Sequence, residues 1–244
     1  MKAMIFAAGV GSRLKPLTDE IPKALVPLNG KPMLEHVILK LKAAGFHHVI
    51  INVHHFGQQI IDFLIANDNF GLNIQISDER DYLLDTGGGI KKAMGFLQGE
   101  EPFLVHNVDI ISNVDLRALY AYHLADNPLA TLLVSKRETS RYLLFDKQSK
   151  LCGWRNRETG EVKSYFPDFD PLQYTEYGFG GVHVLSPKIF EWMEEWTGKF
   201  PIINFYLSIC AKTNILAYPA ENLKLFDVGK LDFLVRAEDW MKGL

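Results

Sequence analysis

The first half of the chain alternates between short apolar runs and longer segments whose apolar residues recur every three or four positions. Short runs of this kind are typical of buried strands, and the longer spacing is typical of amphipathic helices. The predicted strands are Ala3–Ala8, Val49–Val53, Ile74–Ile76, Phe103–Val105 and Ala130–Val134. The predicted helices between them are Met33–Ala44, Gln58–Asn67, Gly88–Leu97 and Leu116–Ala125.

Strands that alternate with helices predict a Rossmann-like α/β fold. Right-handed crossovers build a mostly parallel sheet in such folds, flanked by helices on both faces. Ligands bind beside the carboxyl ends of the strands. The loop that follows Ala8 is therefore expected to lie at a ligand-binding edge.

The pattern changes after about Ser135. Residues 141–177, here called the lid, are polar, turn-rich and aromatic, and they predict short antiparallel strands and loops inserted on the sheet. A strand at Gly178–Leu185 follows, and then helices at Pro187–Trp196, Ile202–Ala211 and Leu231–Lys242. Because no repeat or low-complexity linker interrupts the chain, residues 1–244 are predicted to form a single domain.

Composition and charge narrow the class of protein. The 244 residues are 48% hydrophobic and 23% charged, and their net charge of −3 gives no global attraction to nucleic acid. Only Lys2 precedes a short apolar stretch at the start, and no long apolar run follows, so neither a signal peptide nor a membrane span is predicted. We expect a cytoplasmic protein in which Cys152 and Cys210, which lack metal-ligand spacing, are reduced thiols.

Glycines and positive charge concentrate directly after the first predicted strand. Gly9 and Gly11 allow backbone N–H groups to approach an anion, and Arg13 follows them. A Walker loop would need Gly-Lys-Ser/Thr where Gly11-Ser12-Arg13 stands, and a dinucleotide-binding loop would need a third glycine in place of Leu14. The glycines alone are equally compatible with a phosphate-binding loop and with a tight turn that carries exposed charges.

A carboxylate ends the run Phe103–Val108. Asp109 at a strand end is well placed to hold Mg²⁺, which binds a few carboxylates together with phosphate oxygens. On its own, this position is more typical of an aspartate that caps a turn or helix. The second carboxylate, Asp227, follows an apolar stretch that is typical of a strand edge, and it favours a metal site shared by the two.

A long run of motifs resembles the signature of the sugar nucleotidyltransferases. The family pattern Ala-Ala-Gly-x-Gly-Ser/Thr-Arg, Pro-Leu-Thr and Pro-Lys-Pro-Leu-Val-Pro is matched in register, with Ala24 in place of one proline. Further matches follow in family order at Asp85–Gly89, Asn107–Asp109 and Phe226–Gly229. The matching positions of the first run are Gly9, Gly11, Ser12, Arg13, Pro16, Leu17, Thr18, Pro22, Lys23, Leu25, Val26 and Pro27.

The resemblance implies the nucleotide-diphospho-sugar transferase fold and a Mg²⁺-dependent reaction of a nucleoside triphosphate with a sugar 1-phosphate, which releases pyrophosphate. The attacking phosphate oxygen is already anionic, so positioning and charge neutralisation carry the catalysis. The catalytic residues implied are Arg13, for the β and γ phosphates, and Lys23, for the α phosphate, with Asp109 and Asp227 on the metal. The resemblance also implies nucleotide contacts at Ala7, Ala8, Gly9, Gly11, Ser12, Arg13, Asp85, Thr86, Gly87, Gly88 and Asn107.

The base-binding loop of the family corresponds to Thr86–Gly89, where three glycines would let a flat base lie on the backbone. Asp85–Gly89 looks most like the Glu-Thr-Gly-Gly-Gly loop of N-acetylmuramate-1-phosphate uridylyltransferases, enzymes of cell-wall sugar recycling, so UTP is the expected nucleotide. Two alternatives stay open. One is a guanylyltransferase that uses mannose 1-phosphate, and the other is a catalytically silent paralogue that binds a sugar nucleotide and regulates a partner.

The sugar is expected to lie under the lid. The family's second signature, Glu-Lys-Pro, whose lysine holds the sugar phosphate, is absent from this sequence, and Gly181, Arg155 and Lys163 are the candidate sugar-binding residues, with Arg157 nearby. A basic lid would favour a sugar that carries a carboxylate, as N-acetylmuramate 1-phosphate does. The expected partners are the two substrates, without nucleic acid or membrane, and the expected assembly is a monomer or a weak homodimer. The lid aromatics that could pack on sugar faces are Trp154, Tyr165, Tyr174 and Tyr177.

Overall fold

The computed structural model describes residues 1–229 and 231–242. The strands are β1 Lys2–Phe6, β2 Pro27–Leu28, β3 Lys31–Pro32, β4 His48–Val53, β5 Asn73–Asp78, β6 Phe103–Asn107, β7 Ile110–Ser112, β8 Ala130–Ser135, β9 Arg141–Phe145, β10 Leu151–Asn156, β11 Val162–Lys163, β12 Thr175–Leu185, β13 Ile215–Pro219 and β14 Leu225–Asp227. The α-helices are α1 Met33–Ala43, α2 Gly57–Ala66, α3 Asp85–Lys92, α4 Met94–Leu97, α5 Leu116–Asp126, α6 Ile189–Trp192, α7 Ile202–Ile209 and α8 Leu231–Lys242. Short 3₁₀ helices form at Ser12–Leu14, Lys23–Leu25, Asp68–Gly71 and Pro171–Gln173.

The centre of the main sheet is parallel, as the alternation of strands and helices predicts. β1 lies between β4 and β6, and β5 pairs with the far edge of β4. Ile5 is in register with Ile51 on one side and with His106 on the other. The sequences of such parallel strands are nearly continuous apolar runs, because helices cover both faces of the sheet.

Beyond β6 the sheet becomes antiparallel. β12 pairs in antiparallel fashion with β6, β8 and β9, and β13 runs parallel to β8. Within the lid, β9, β10 and β11 form an antiparallel set that extends the sheet. The prediction of short antiparallel strands in residues 141–177 is therefore confirmed.

The hydrophobic core consists of two clusters, one on each face of the sheet. One cluster contains Leu41 of α1, Ile60 of α2 and Leu119 of α5. The other contains Ile90 of α3 and Phe205 of α7. Helices thus cover both faces, as the sequence predicts. Within residues 1–229 and 231–242, none of the helices combines the length and the apolar character that crossing a bilayer requires.

The first strand ends at Phe6 rather than at Ala8. The reason is that the amides of Ala7 and Ala8 donate to Asn52 Oδ1, over 2.8 and 3.3 Å, instead of continuing the strand ladder. A side chain of β4 thereby ends β1 and begins the glycine-rich loop.

Two helical predictions differ from the structure by three or more residues at one end. The helix predicted over Gly88–Leu97 begins earlier and is divided at Ala93 into α3 and α4. The helix predicted over Pro187–Trp196 forms only at Ile189–Trp192. Beyond that point, the ammonium of Lys91 donates to the backbone carbonyls of Met193, Glu194 and Trp196, and the Met193 carbonyl also accepts from the Trp196 amide. A tertiary contact therefore satisfies this segment without further helix.

Candidate active site

The glycine-rich loop after β1 depends on Gly11. Its φ of 71° lies in the left-handed region that favours glycine. A β-carbon at this position would lie 2.8 Å from Thr18 Cγ2 and 3.0 Å from Lys23 Cβ. The Thr18 hydroxyl donates to the Gly11 carbonyl over 2.9 Å, and buried Leu14 anchors the turn that follows. Arg13 is thus presented to solvent from a well-supported backbone.

Lys23 reaches Asp109 across the carboxyl ends of the parallel strands. The Lys23 ammonium is hydrogen-bonded to Asp109 Oδ2, and the two side chains are only 12% and 13% exposed. Val108 donates its amide to the Phe6 carbonyl over 3.2 Å, which holds this segment beside the end of β1. Buried Ala24 fixes the turn that carries Lys23. The structure therefore brings a predicted catalytic cation and a predicted metal ligand into one partly buried pair.

Asp227 joins this pair from a distant part of the chain. β14 is antiparallel to β7, and the Val228 amide donates to the Asp109 carbonyl over 2.9 Å. A β-carbon placed on Gly229 would lie 3.0 Å from Asp109 Oδ2 and 2.9 Å from both Asp227 Oδ1 and Arg13 Nη2. Two carboxylates and a guanidinium thus converge on one point.

The two carboxylates fit Mg²⁺ that arrives with a nucleotide. No cluster of three or more His, Cys, Asp or Glu side chains around a metal position occurs in the described parts of the chain. Mg²⁺ commonly takes only one or two carboxylates from the protein and completes its shell with water and substrate phosphates. The convergence of Asp109 and Asp227 beside the glycine loop matches that requirement.

A cavity of about 350 Å³, here called the inner cavity, opens between the glycine loop and α3. Predicted nucleotide-binding residues on its wall are Ala8, Gly9, Asp85, Thr86 and Asn107. Lys23 and Asp109 also line it, so this ion pair and the predicted nucleotide site share one space. Asn52, Glu79 and Lys199 complete the polar part of the wall, and the sequence pattern alone did not single them out.

Asn52 and Glu79 form a buried polar pair in this wall. Glu79 is fully buried, and its carboxylate accepts from Asn52 Nδ2 at 2.8 Å and from the Leu84 amide at 3.1 Å. Because Glu79 is fully buried, its carboxylate orients Asn52 and the Leu84 backbone behind the cavity wall. The signal that could have revealed the pair is the amide side chain of Asn52 inside the apolar run Val49–Val53.

Gly87 and Gly88 do not line the inner cavity, and their contact with a base stays a prediction. Their amides donate to the Phe200 carbonyl, over 2.9 and 3.3 Å. A β-carbon on Gly87 would lie 2.3 Å from the Phe200 ring, and one on Gly88 would lie 2.4 Å from the Gly198 carbonyl oxygen. These glycines therefore serve the close packing of α3 against the segment that precedes α7.

A second cavity of about 920 Å³, here called the outer cavity, extends from Asn107 and Asp227 to Lys163 of the lid. Gly181 of β12 lies on its wall with a φ of 69°. A β-carbon on Gly181 would lie 3.0 Å from Asn107 Nδ2. The predicted sugar-binding residues Gly181 and Lys163 therefore share a cavity that begins at Asn107 and Asp227.

Arg155, a predicted sugar-binding residue, pairs with a carboxylate outside the outer cavity. Arg155 and Arg157 both contact Glu176, with 3.3 Å between Arg155 Nη1 and Glu176 Oε1, and neither arginine lines the outer cavity. Lys163 lines the cavity but pairs with Glu161 at 3.3 Å. Because carboxylates of its own segments neutralise these cations, the lid presents less positive charge to the cavity than its composition suggests.

Two of the four predicted lid aromatics pack within the lid, and Tyr165 is 63% exposed. Tyr174 stacks on Phe169 with ring centroids 4.5 Å apart, and Tyr177 also packs inside the lid. Trp154 lines the outer cavity, with the Lys163 ammonium 5.0 Å from its ring centroid. Of the four aromatic side chains that the sequence singles out, Trp154 is the one positioned to pack on a ligand in this cavity.

His106 lies behind the end of β6, beside the site but not in it. Burial lowers the pKa of His106 to about 4, and the positive charge of Lys40 acts in the same direction. Burial also lowers the pKa of Lys40, to about 8. Near neutral pH the His106 imidazole therefore adds no charge next to Asp109.

Comparison with known proteins identifies a family. The family model described as nucleotidyl transferase matches residues 2–152. The chain is 44% identical over 120 residues to an N-acetylmuramate alpha-1-phosphate uridylyltransferase of Neisseria meningitidis serogroup B, covering 49% of this chain and 52% of that protein. It is 46% identical over 111 residues to the protein of the same name from Caulobacter vibrioides, covering 45% of this chain and 46% of that protein.

A mannose-1-phosphate guanyltransferase of Gibberella zeae is also similar, with 37% identity over 145 residues, covering 58% of this chain and 40% of that protein. The chain thus spans about half the length of the curated relatives it matches.

Solved structures share the fold along nearly the whole chain. A UDP-glucose pyrophosphorylase from Acinetobacter baumanii aligns with a TM-score of 0.77 at 18% identity, covering 97% of this chain and 91% of that one. The inositol-1-phosphate CTP transferase from T. maritima aligns with a TM-score of 0.78 at 16% identity, covering 99% and 94%. At these identities the likeness concerns the fold, which is that of Rossmann-like nucleotidyltransferases.

Proposed function

Because the chain belongs to the nucleotidyl transferase family, we propose that it joins a nucleoside triphosphate to a sugar 1-phosphate and releases pyrophosphate. The observation that carries the proposal is the convergence of Arg13, Lys23, Asp109 and Asp227 beside the glycine loop. In this reaction a sugar-phosphate oxygen forms a bond to the α phosphorus, and the bond from that phosphorus to the bridging oxygen of pyrophosphate breaks. The bonding pair leaves with pyrophosphate, and no proton has to be removed from the nucleophile.

The cations of the site suit this transfer because every reacting group is negatively charged. Arg13, on the exposed turn after Gly11, would bind the β and γ phosphates. The ammonium of Lys23, which contacts Asp109 in the free protein, would bind the α phosphate. Removal of one preorganised donor from a site of this kind costs about 3–4 kcal/mol of transition-state stabilisation.

Asp109 and Asp227 would hold Mg²⁺ in this mechanism. When bound there, Mg²⁺ would supply a Lewis acid beside the α phosphate. The hydrogen bond from the Val228 amide to the Asp109 carbonyl ties the two aspartate segments together, so the carboxylates are oriented before a ligand arrives.

UTP is the proposed nucleotide. The relatives at 44% and 46% identity are uridylyltransferases by name, which favours uracil. Guanine is the second candidate because the 37% identical relative is a guanyltransferase.

The proposed acceptor is N-acetylmuramate 1-phosphate. The same two uridylyltransferase relatives support it by name, and the outer cavity of about 920 Å³ adjoins the reactive carboxylates. Mannose 1-phosphate is the alternative, supported by the relative from Gibberella zeae.

Pyrophosphate release tests the proposal and decides between these pairs. The protein is assayed with UTP, GTP, CTP and dTTP against the 1-phosphates of N-acetylmuramate, N-acetylglucosamine and mannose, with Mg²⁺ and with a chelator. We expect turnover with UTP and N-acetylmuramate 1-phosphate that the chelator abolishes. Turnover with GTP and mannose 1-phosphate alone would replace the uridylyl assignment, and no turnover with any pair would refute the proposed reaction.

A further inference from the structure

Arg137 reaches the outer cavity from the end of β8. It lies two residues beyond Ser135, the last residue of that strand, and it lines the cavity. Its Nη2 donates to the Phe179 carbonyl over 3.1 Å. That hydrogen bond holds the guanidinium against β12, the strand that also carries Gly181.

The neighbouring strand leaves room for this side chain. A β-carbon on Gly178 would lie 2.9 Å from Arg137 Cγ and 3.1 Å from Arg137 Nε. A larger residue at position 178 would push the arginine away from β12. Gly178 therefore allows Arg137 to lie along the cavity wall.

Arg137 is a partly buried cation on the wall of the outer cavity that no carboxylate of the described residues neutralises, and the exposed Arg141 of the lid is a second one. Arg155, Arg157 and Lys163 each pair with a carboxylate, whereas no Asp or Glu oxygen of the described residues forms an ion pair with Arg137. Its Nε is buried without an acceptor among those residues. A guanidinium with free donors on a cavity wall is suited to a phosphate or carboxylate, because both anions match its planar fork.

We propose that Arg137 binds an anionic group of the acceptor sugar 1-phosphate, an inference that rests on the proposed function. Gly178 and Gly181 are three residues apart on β12, a separation of at most about 10 Å. A β-carbon on Gly181 would lie 3.0 Å from Asn107 Nδ2, at the end of the cavity that Asp227 lines, whereas one on Gly178 would meet Arg137, so Arg137 lies toward the lid from that end. The phosphate and a sugar carboxylate are the two anionic groups that an acceptor can present there.

Steady-state kinetics of Arg137 variants test the inference. Arg137→Ala and Arg137→Lys are compared with Lys136→Ala, which removes an exposed cation of the same loop that does not line the cavity. Each variant is assayed with UTP and either N-acetylmuramate 1-phosphate or N-acetylglucosamine 1-phosphate, which lacks the carboxylate. If the wild type converts another pair, that pair is used as well.

We expect Arg137→Ala to raise the KM for the acceptor about 30-fold or more, as loss of one partner of a buried charge pair does. The KM for the nucleotide stays unchanged, Arg137→Lys recovers part of the loss, and Lys136→Ala behaves as the wild type. A rise for both acceptors assigns Arg137 to the phosphate. A rise for N-acetylmuramate 1-phosphate alone assigns it to the carboxylate.

An unchanged acceptor KM in Arg137→Ala, or an equal rise in the nucleotide KM, would overturn the inference. If Arg137→Ala fails to fold, Arg137→Lys and Gly178→Ala provide the same comparison. Arg137→Lys keeps a positive charge but moves it, and Gly178→Ala displaces the guanidinium, so both retain a long side chain at position 137. Calorimetric titration of the wild type with each acceptor separates the two proposals. If the wild type is active and Arg137→Ala is unaffected, only the role of Arg137 is refuted. If the wild type neither binds nor converts any sugar 1-phosphate, both the role of Arg137 and the proposed function are refuted.

Discussion

At the scale of single residues, the candidate chemistry depends on a few charged side chains that the backbone holds in place. Lys23 is partly buried against Asp109, whereas Arg13 projects from a turn that Gly11 and Leu14 support. Neither cation contributes to the hydrophobic core. Their removal should therefore affect a reaction of phosphates far more than the stability of the fold.

We predict that Arg13→Ala and Lys23→Ala each lower kcat by about a hundredfold or more, because each removes a preorganised cation from the transferring phosphates. The melting temperature of Arg13→Ala should equal that of the wild type. Lys15→Ala is the matched control, since Lys15 is exposed and pairs only with Asp19 at the surface. A wild-type rate in either variant would remove that residue from the mechanism.

At the scale of elements, α3 and the segment before α7 fit together through glycine. Gly87 contacts Phe200 so closely that no side chain fits between them, and the Ile202 amide donates to Thr86 Oγ1 over 2.8 Å. The start of α3, which includes Thr86, is therefore positioned by packing from the second half of the chain. Close fit of this kind makes interiors sensitive to a single added methyl group.

We predict that Gly87→Ala lowers the free energy of unfolding by about 1–3 kcal/mol, because its methyl group overpacks against Phe200. Gly95→Ala is the matched control. Gly95 lies in α4 with no atom within 4 Å of an added β-carbon, so alanine there should stabilise the protein by up to about 1 kcal/mol through helix propensity. Urea unfolding of both variants measures the difference.

The double variant Gly87→Ala/Phe200→Leu should recover part of the loss, because the smaller side chain makes room for the methyl group. Equal stability of Gly87→Ala and the wild type would contradict the packing role of Gly87.

At the scale of the whole molecule, the core encloses histidines that are neutral in the folded state. Burial lowers the pKa of His106 and of His123 to about 4 and that of His183 to about 3. His183 Nδ1 lies 2.7 Å from the Tyr206 hydroxyl, and His123 Nδ1 lies 2.9 Å from Thr131 Oγ1. Because unfolded histidine titrates near pH 6.5, the unfolded chain binds more protons than the folded one below that pH.

We predict that the free energy of unfolding is maintained above about pH 6.5 and falls as the pH is lowered from there toward 4. Each of the three histidines should contribute about 1 kcal/mol of loss between pH 7 and 5.5. In His123→Gln the loss over this interval should shrink by that amount, as measured by urea unfolding at both pH values. The same substitution at the exposed His47, which fills no buried position, is the control. An unchanged pH dependence in His123→Gln would count against the burial of a neutral imidazole there.

The sequence by itself determined the central fold and the first part of the site. The apolar runs Val49–Val53 and Phe103–Val105 specify buried parallel strands, because apolar spacing encodes which faces are covered. The loop with Gly9, Gly11 and Arg13 is likewise a local feature, since glycine conformation and chain proximity place it at the end of β1. These properties depend on residues that are close together in the sequence, so they can be predicted from the sequence alone.

Only the tertiary structure decided which distant side chains meet. Asp109 and Asp227 converge because β7 pairs with β14, and Glu79 lines the inner cavity because Asn52 holds its carboxylate. Arg155 pairs with Glu176 outside the outer cavity, whereas Arg137 lines that cavity without an ion pair among the described residues. The physical reason is that the partner of a charge depends on the packing of segments far apart in the chain, and composition counts charges without showing which of them are paired.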